Sequence, residues 1–548
     1  MPPRRRVRRL KLGPIVGHTD ESSSRVWIQV GDDPSHYLLR VEGVGLFPFE
    51  STDGSVVEFG TAIARVTGLE SDRRYRFRVV RHGRFVPGAS GSFRTFPPPS
   101  SMTNLLFCAI SCNGAEEIGV WEKFSGFVEE SQPSFILMMG DQVYLDEDAP
   151  DVYKEHFESD PEMRRKAMAE MYQSNWSREP LRTIFANTPT YMVWDDHDIR
   201  DGFGSLAHDC PTMAARYPRG KPLFDKTNAY FEDARDVYWH FQACRNPGPL
   251  DTPVPSLPNF IDRPVPRGVR RAMPFVFRCG RMIVLVVESR GERDAFRKEL
   301  PILGARQWAF IEDVFANLPA DVEALAIATP TPIASQDPDG QSQRLLGTRT
   351  DDVDAFREGD EEEAFHPKAT GTDDVGEIVK TVLNARIASE FGVQFNQGTF
   401  QRNNMDEARD QWSHHISRPE QARLIRSAFA ARRTSQIDGS ERGLIFLSGD
   451  IHIGCVFELK VRQSKTSAFS MTSSGISQID DTQPLIGVFI DEEFTVASGI
   501  RSTLRDVVNK FNFGIVHVQP TGSGAVIEPT LAYGGSSLVF GVQTTGIL

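Results

Sequence analysis

Three short hydrophobic runs in this chain each end in carboxylates or histidine, the side chains that bind metal ions and move protons. The runs and the residues that follow them are FILMM-GDQVY at 135–144, PTYMV-WDDHD at 189–198 and LIFL-SGDIH at 444–452. An apolar run of this length that stops at polar groups is typical of a central strand that delivers ligands at its carboxyl end. Because several anionic groups in one place need a cation to be tolerated, the three clusters together predict a two-metal hydrolase.

Asp141 follows Gly140 directly, at a tight exit from the first run. In a site with two metal ions roughly 3.5–4 Å apart, one carboxylate bridges both ions, and Asp141 is our candidate for that bridge. Taken alone, an Asx-turn or a helix-capping aspartate is the alternative. Tyr144 is either a phenolate ligand of a ferric ion or a packed aromatic side chain, and the residues alone leave both open.

The second cluster places Asp195, Asp196 and Asp198 around His197. Such a run has little use as structure, because neighbouring like charges repel. We expect Asp196 to bind metal and His197 to be a protonated group that faces the leaving oxygen. Asp195 and Asp198 would lie behind the ligands, and a carboxylate adjacent to His197 would hold its charge and tautomer. A surface turn is the alternative.

Asp450 and His452 are two residues apart, so both side chains lie on one side of an extended segment. This spacing directly after a strand favours metal binding over a structural histidine.

Cys112 ends an earlier apolar run, in a position equivalent to the other clusters. A thiolate beside a metal ion is a strong ligand, and a buried, inert cysteine is the alternative. A cysteine-nucleophile phosphatase is excluded, because residues 114–118 supply acid where such a loop needs an arginine. The next residue, Asn113, is a candidate for substrate binding.

Arg290 follows another apolar run. Its planar guanidinium matches phosphate oxygens in pairs, so Arg290 is a candidate for substrate binding and catalysis. A salt-bridged structural arginine is the alternative.

The elements that must position these residues alternate from residue 105 onward, as in an α/β domain. We predict strands at residues 105–110, 135–139, 190–193, 282–287, 324–328 and 444–447, and helices at residues 119–129, 163–175, 227–243, 305–318 and 419–432. The proline-rich residues 246–274 predict an ordered segment that runs over the surface. Residues 335–410 predict an exposed insertion, with a lid as the alternative. The C-terminal remainder predicts short strands and turns.

The first part of the chain has the pattern of an all-β domain. In residues 74–79, arginines alternate strictly with Tyr75, Phe77 and Val79, which gives the strand one apolar and one charged face. Leu69 followed by Tyr75 resembles the corner of fibronectin type III-like domains. We therefore predict an all-β domain at residues 1–98 and a catalytic domain at residues 99–548 with an insertion near 335–410.

The composition and net charge of the chain limit the kinds of binding partner that we expect. The 548 residues carry a net charge of −13, which argues against a nucleic-acid scaffold because those carry a basic surplus. We expect no membrane partner, because no apolar stretch is long enough to cross a bilayer and no export signal follows the N-terminal arginines. The six cysteines show no CxxC spacing, which fits a reducing compartment and a cytoplasmic protein.

In combination, these motifs resemble the alkaline phosphatase D (PhoD-like) branch of the metallophosphoesterases. The segments that carry the resemblance are Ser111-Cys112, GDQVY at 140–144, WDDHD at 194–198, ESRGER at 288–293, DQW at 410–412 and SGDIH at 448–452. The resemblance covers essentially the whole chain except the insertion. The sequence departs from the family at Glu288, where an aspartate is usual, and at His414-His415, where an aromatic residue is common.

The resemblance implies a four-layer α-β-β-α metallophosphoesterase sandwich preceded by the fibronectin type III-like domain. It implies two or more metal ions that share Asp141 as a ligand. The other ligands would be Cys112, Tyr144 and His452 at a ferric ion, and Asp196 and Asp450 at a second ion. Ca²⁺ is expected at the second position, with Mn²⁺, Zn²⁺ or Mg²⁺ as alternatives.

We therefore predict a metal-dependent phosphoric ester hydrolase, of the alkaline phosphatase or phosphodiesterase type, that acts on a small-molecule monoester or diester. A hydroxide bridging the two ions would attack phosphorus in line, because cations lower the pKa of bound water to about 7. Arg290 and the ions would stabilise the developing charge, and His197 would protonate the leaving group. Two alternatives remain open: a cytoplasmic phosphodiesterase or nuclease on nucleotides or nucleic acid, and a non-catalytic metal-stabilised scaffold. The oligomeric state is left open.

Overall fold

The computed structural model describes residues 9–52, 59–115, 117–254, 259, 263–337, 410–414, 416–433, 441–462, 464–478, 490–522, 524–534 and 541–544. Within these ranges the chain forms three β-sheets and eight α-helices. Most of the predicted insertion near 335–410, parts of the proline-rich span 246–274, and His415 lie outside the described residues.

The first sheet contains the seven strands of the N-terminal part. They are β1 (Leu12–Thr19), β2 (Ser24–Gln29), β3 (Tyr37–Val41), β4 (Gly45–Ser51), β5 (Thr61–Val66), β6 (Arg74–Arg81) and β7 (Arg84–Arg94), in the order β1-β2-β5-β4-β3-β6-β7. In β6, Tyr75, Phe77 and Val79 are buried and the intervening arginines are exposed, as the alternation predicts. The backbone N–H of Glu70 donates to Tyr75 Oη at 2.8 Å, a bond that suits the predicted corner. The fibronectin type III assignment itself stays a prediction.

The second sheet begins with three parallel strands. Its members are β8 (Leu105–Ile110), β9 (Ile136–Met139), β10 (Thr190–Val193), β19 (Asn512–Pro520), β20 (Ala525–Tyr533) and β21 (Gly541–Thr544), in the order β10-β9-β8-β19-β20-β21. Because β8, β9 and β10 run parallel, their carboxyl ends open at one edge of the sheet.

The third sheet has eight strands. They are β11 (Phe275–Cys279), β12 (Met282–Val286), β13 (Ala324–Ala328), β14 (Gly443–Ser448), β15 (Gly454–Val461), β16 (Ala468–Thr472), β17 (Glu493–Ala497) and β18 (Ile500–Val508). Their order is β11-β12-β13-β14-β16-β15-β18-β17, and β12, β13, β14 and β16 are parallel. The six strands predicted for the catalytic part are thereby confirmed as β8, β9, β10, β12, β13 and β14.

The helices are α1 (Trp121–Ser131), α2 (Val152–His156), α3 (Pro161–Trp176), α4 (Glu179–Asn187), α5 (Pro211–Arg216), α6 (Lys221–Phe241), α7 (Gly304–Ala316) and α8 (Arg418–Arg433). The five predicted helices occur as α1, α3, α6, α7 and α8. The start of α3 is set by Asp160, whose side chain accepts hydrogen bonds from the backbone N–H groups of Glu162 and Met163, with Pro161 in the first turn. No helix within the described ranges combines the length and the apolarity that crossing a lipid bilayer requires.

Alternate residues of the third sheet belong to two different hydrophobic clusters. Val284 of β12, Ala326 of β13 and Ile445 of β14 pack in the cluster that contains Phe107 and Ala109 of β8. Their neighbours in sequence belong to a separate cluster with residues of α7 and α8. One face of the third sheet therefore contributes to the core shared with the second sheet, and the other face packs with helices. The complete four-layer order stays a prediction.

The expectation of short C-terminal strands is wrong. The strands β18, β19 and β20 have 9 residues each, and they extend both large sheets. In β18 the buried and exposed positions are mixed along the strand, so its hydrophobic signal is weaker than that of a fully buried parallel strand.

A buried hydrogen-bond network joins the first sheet to the second. Tyr191 Oη of β10 accepts from the backbone N–H of Thr19 at 3.2 Å and donates to the carbonyl of Thr19 at 3.1 Å. Tyr191 Oη also lies 3.1 Å from Nδ1 of His18. The N-terminal part is thus anchored to the strand that precedes the aspartate cluster, and the boundary at residues 98 and 99 stays a prediction.

Tyr191→Phe should lower the free energy of unfolding by about 1–3 kcal/mol, because it leaves buried groups of His18 and Thr19 without a partner. Urea unfolding of the purified protein measures the change. Tyr230→Phe is a matched control, since Tyr230 Oη is buried without a hydrogen-bond partner among the described residues. Equal stability of the two variants would contradict the anchoring role of Tyr191.

Candidate metal centre

The predicted site residues follow the carboxyl ends of strands from both large sheets. Cys112 comes after β8, Asp141 after β9, Asp196 after β10, and Asp450 after β14. A Cβ on Gly449 would lie 2.3 Å from Ser111 Oγ and 2.6 Å from the carbonyl oxygen of Met139. Only glycine allows this approach, so the loop after β14 lies directly against the ends of β8 and β9.

Backbone strain is concentrated at the predicted ligands. Within the described ranges, the non-glycine residues with positive φ include Cys112 at 60°, Asp141 at 53°, Asp450 at 75° and His452 at 55°. This conformation costs an L-residue roughly 1–2 kcal/mol. Such strain persists only where the surrounding structure imposes it, and it clusters at functional sites.

Four carboxylates meet at this edge. One oxygen each of Asp141, Asp195, Asp196 and Asp450 lies within 4.8 Å of the other three. Oδ1 of Asp141 and Oδ2 of Asp195 are buried and have no hydrogen-bond partner among the described residues. Buried, unpaired carboxylate oxygens that converge in this way fit a site for hard cations.

The electrostatics of the cluster agree with this interpretation. Burial raises the pKa of Asp141 well above its usual value, and the negative charges of Cys112 and Asp196 raise it further. Burial and the charge of Asp196 also raise the pKa of Asp450 to about 7. Without a cation the cluster would hold protons, whereas a bound cation would favour the ionised form of each carboxylate.

A second group of donors shares Asp141. Cys112 Sγ lies 3.3 Å from Asp141 Oδ2, and Tyr144 Oη lies 2.8 Å from His452 Nε2. Burial raises the pKa of the Cys112 thiol, but the charge on His452 and hydrogen bonds from His452 and two serines outweigh burial and lower this pKa to about 6. Thiolate, phenol, imidazole and carboxylate together form a donor set that suits a transition-metal ion. Asp141 belongs to both groups, as the predicted bridge requires.

His197 lies beside this centre and is held by Asp146. Its Nδ1 is 2.9 Å from Asp146 Oδ1, and its ring centroid is 4.4 Å from that of Tyr144. Burial lowers the pKa of His197, but the charges of Asp146 and Glu147 outweigh it and raise the pKa well above 6.5. This direction favours the protonated imidazole, and the position of His197 opposite a leaving oxygen stays a prediction.

The carboxylate that holds the tautomer of His197 is Asp146, so the expectation of an adjacent carboxylate in this role is wrong. Asp198 accepts hydrogen bonds from the backbone N–H of Asp195 at 3.0 Å, from that of Gln142 at 3.3 Å and from Tyr172 Oη at 2.8 Å. It therefore fixes the loops that carry the ligands. Asp195 takes part in the carboxylate cluster.

The predicted substrate-binding and catalytic role of Arg290 needs correction. The side chain is fully buried, and its Nε donates to Asp195. Nη1 donates to Asp410 at 2.6 Å and to the carbonyl of Phe203 at 3.1 Å. Nη2 donates to Asp410 at 2.8 Å and lies 3.2 Å from Asp196 Oδ1. Four of its five N–H groups thus donate to protein acceptors, which favours the structural alternative.

Asn113 is likewise not placed to bind substrate. It is fully buried, and its Nδ2 donates to the carbonyl of Gln142 and to Asn175 Oδ1, each at 3.2 Å. Its Oδ1 accepts from Trp121 Nε1 at 2.9 Å. Asn113 therefore stabilises the loop after β8.

The residue-by-residue inference missed four side chains that contact the centre or its ligands: Asp146, Asp410, Gln411 and Ser474. Ser474 Oγ lies 3.1 Å from Cys112 Sγ and accepts from the backbone N–H of His452 at 2.7 Å. Asp410 and Gln411 belong to the DQW segment, which could have identified them from the sequence. Ser474 and Asp146 lie in no motif that the sequence analysis recognised.

Comparisons with known proteins found one matching family and similar solved structures. Residues 107–249 match the sequence profile of the PhoD-like phosphatase family. The solved structure of PhoD is similar at 14% identity with a TM-score of 0.56, covering 99% of this chain and 93% of that chain. The purple acid phosphatase PPD1 from yellow lupin (Lupinus luteus) seeds is similar at 10% identity with a TM-score of 0.47, covering 97% of this chain and 73% of that chain. No curated protein matches this chain in sequence.

The predicted resemblance to the PhoD-like phosphatases is confirmed over residues 107–249. The likeness to the PhoD structure shows a mixed α/β fold with several sheets along the chain. Asp450 and His452 lie outside the matched residues, and the fold brings them to Asp141 and Tyr144.

Arg290→Met should lower the free energy of unfolding by about 3–5 kcal/mol, because it leaves buried carboxylates without their cation partner. Thermal unfolding measures this loss. Arg501→Met is the control, since Arg501 forms an exposed pair with Glu493 and its loss should cost at most about 1 kcal/mol. A stable Arg290→Met variant with only a raised KM would instead support the substrate clamp.

Proposed function

We propose that this chain, whose residues 107–249 match the PhoD-like phosphatases, is a metal-dependent phosphoric ester hydrolase. The observation that carries the proposal is the meeting of two donor groups at one shared carboxylate, Asp141. One group is rich in carboxylates and the other contains a thiol, a phenol and an imidazole. A pair of metal ions is the arrangement that clamps a phosphoryl group during in-line displacement.

The two donor groups differ in the cations they suit. We propose Fe³⁺ at Cys112, Tyr144, His452 and Asp141, and a second cation, Ca²⁺ or in its place Mn²⁺, Zn²⁺ or Mg²⁺, at Asp141, Asp196 and Asp450. When bound, these cations make hydroxide available near neutral pH and neutralise the charge on the phosphoryl oxygens. An all-oxygen set is preferred by hard cations, whereas thiolate and imidazole select transition metals.

His197 would supply the proton that the leaving oxygen needs. Asp146 engages Nδ1, so Nε2 is the nitrogen that can donate to a leaving group. The raised pKa of His197 keeps this proton in place at neutral pH. The ring of Tyr144 packs against the imidazole and fixes its plane beside the centre.

Substrate attraction follows from local charge. The chain has a net charge of −13, so an anionic ester must be attracted by bound cations rather than by the general surface. We propose a small-molecule monoester or diester as substrate, with the mono- or diester preference to be measured.

The finer features of the fold and location are part of the same proposal. We propose a four-layer α-β-β-α sandwich at residues 99–548 and a fibronectin type III-like domain at residues 1–98. The packing of alternate residues of β12–β14 in two clusters supports the layer order. Six buried cysteines without disulfide bonds support a reducing compartment such as the cytoplasm.

Asp141→Ala should remove at least one metal ion and lower hydrolysis by more than ~10²-fold, since loss of partners behind the ligands alone costs 10–100-fold. Elemental analysis of the purified protein and rates on a matched phosphomonoester and phosphodiester measure both effects. Asp233→Ala is the control, because Asp233 is a buried partner of Arg164 and its loss should leave the metal content unchanged. Normal metal content and turnover in Asp141→Ala would refute the bridge.

His197→Ala should lower kcat by ~10²–10⁴-fold while the metal content stays intact. The loss should shrink for substrates with acidic leaving groups such as nitrophenolate, because those depart without a proton. Rates across a series of leaving-group pKa values make the measurement. An equal loss across the series would contradict a role as acid.

A further inference from the structure

Gln411 contacts the metal centre but has no role in the mechanism proposed above. Its Nε2 donates to Asp450 Oδ2 at 3.1 Å. Its Oε1 is buried and has no hydrogen-bond partner among the described residues. A buried carbonyl oxygen without a partner costs about 1–3 kcal/mol, so this oxygen needs an explanation.

The orientation of the carboxamide is fixed by its neighbour. An ionised carboxylate only accepts hydrogen bonds, so the NH₂ group of Gln411 faces Asp450 and the oxygen faces away from it. The two terminal atoms of a carboxamide are roughly 2.2 Å apart, which places Oε1 within about 5.3 Å of Asp450 Oδ2. This is close enough to reach a cation at the carboxylate cluster directly or through one water molecule.

The residues on either side hold Gln411 in place. Asp410 forms a bidentate ion pair with Arg290, at 2.6 and 2.8 Å. Burial raises the pKa of Asp410, but the charges of Arg290 and Arg293 outweigh burial and lower this pKa to about 2. Trp412 is fully buried, and its Nε1 donates to Thr329 Oγ1 at 3.4 Å. The backbone at Gln411 is therefore anchored in two directions.

We propose that Gln411 is a positioning residue of the second metal site, which orients Asp450 through Nε2 and offers Oε1 as a neutral oxygen to the cation or its water. The inference rests on the metal centre of the proposed function. A glutamate here would add a negative charge to a cluster of four carboxylates. An amide supplies an oxygen without that charge, and hard divalent cations accept amide oxygens as ligands.

The test compares two glutamine variants of the full-length protein. Gln411→Leu removes both polar atoms beside Asp450. Gln421→Leu is the matched control, because Gln421 is also buried and donates once through Nε2, to the carbonyl of Ile333 at 2.6 Å. Its Oε1, like that of Gln411, is buried without a hydrogen-bond partner in the described part of the chain. Both variants should lose similar stability in urea.

Metal binding separates the two variants. The proteins are depleted of the second metal and titrated with Ca²⁺ and with Mn²⁺ against a competing chelator, in the absence of substrate. Gln411→Leu should bind both cations ~10–100-fold more weakly than the unmodified protein, whereas Gln421→Leu should bind them equally. The iron content should not change in either variant.

Two outcomes overturn the inference: unchanged cation affinity in Gln411→Leu, or an equal loss of affinity in Gln421→Leu. The titration needs no ester, so it distinguishes the inference from the proposed function. A protein that binds cations through Gln411 and hydrolyses no phosphate ester would refute the function and retain the site.

Discussion

The mutual repulsion of buried carboxylates is the constraint on which the rest of the site depends. Each pair among Asp141, Asp195, Asp196 and Asp450 has oxygens within 4.8 Å, which at an effective dielectric constant of 20 costs at least about 3 kcal/mol when both are ionised. Six such pairs cost about 20 kcal/mol, more than the 5–15 kcal/mol that stabilises a typical folded protein. The single charge of Arg290 offsets only part of this. Cations or protons must therefore enter the cluster, and the unpaired oxygens of Asp141 and Asp195 fit cations.

The fold sustains this cluster by bringing strand ends from two sheets together and by holding the backbone in strained conformations. Positive φ at Cys112, Asp141, Asp450 and His452 costs roughly 4–8 kcal/mol in sum. The hydrophobic cores on both faces of the third sheet supply the rigidity that keeps these residues in place. Arg290 contributes as well, because it ties Asp195 to Asp410. The ligands are thus set before a cation binds, which lowers the reorganisation that binding requires.

The sequence predicts the parts of this arrangement that depend on local pattern. Parallel strands buried on both faces leave continuous apolar runs, so β9, β10 and β14 and the ligands after them are visible in sequence. The strand β18 alternates between core and solvent and lacks that signal. Pairing of polar side chains is not local. Asp195 is next to Asp196 and two residues from His197, yet it bonds Arg290, while His197 bonds Asp146, 51 residues away. These pairings depend on the conformations of the loops, which the hydrophobic periodicity of the sequence does not predict.

The same loops decide where positive charge is available to a substrate. Arg290 and Arg293 lie next to the cluster, but Arg290 makes four hydrogen bonds to protein acceptors. Arg293 donates to the backbone carbonyl of Asp410 and pairs with its carboxylate. Both arginines therefore neutralise protein carboxylates. Of the described groups in direct contact with the centre, two histidines also carry positive charge, but His197 is paired with Asp146, and His452 lies against Cys112 and Tyr144. In a chain of net charge −13, the phosphate ester of the proposed function would be attracted by bound metal ions, so that substrate binding and metal binding would be coupled in this site.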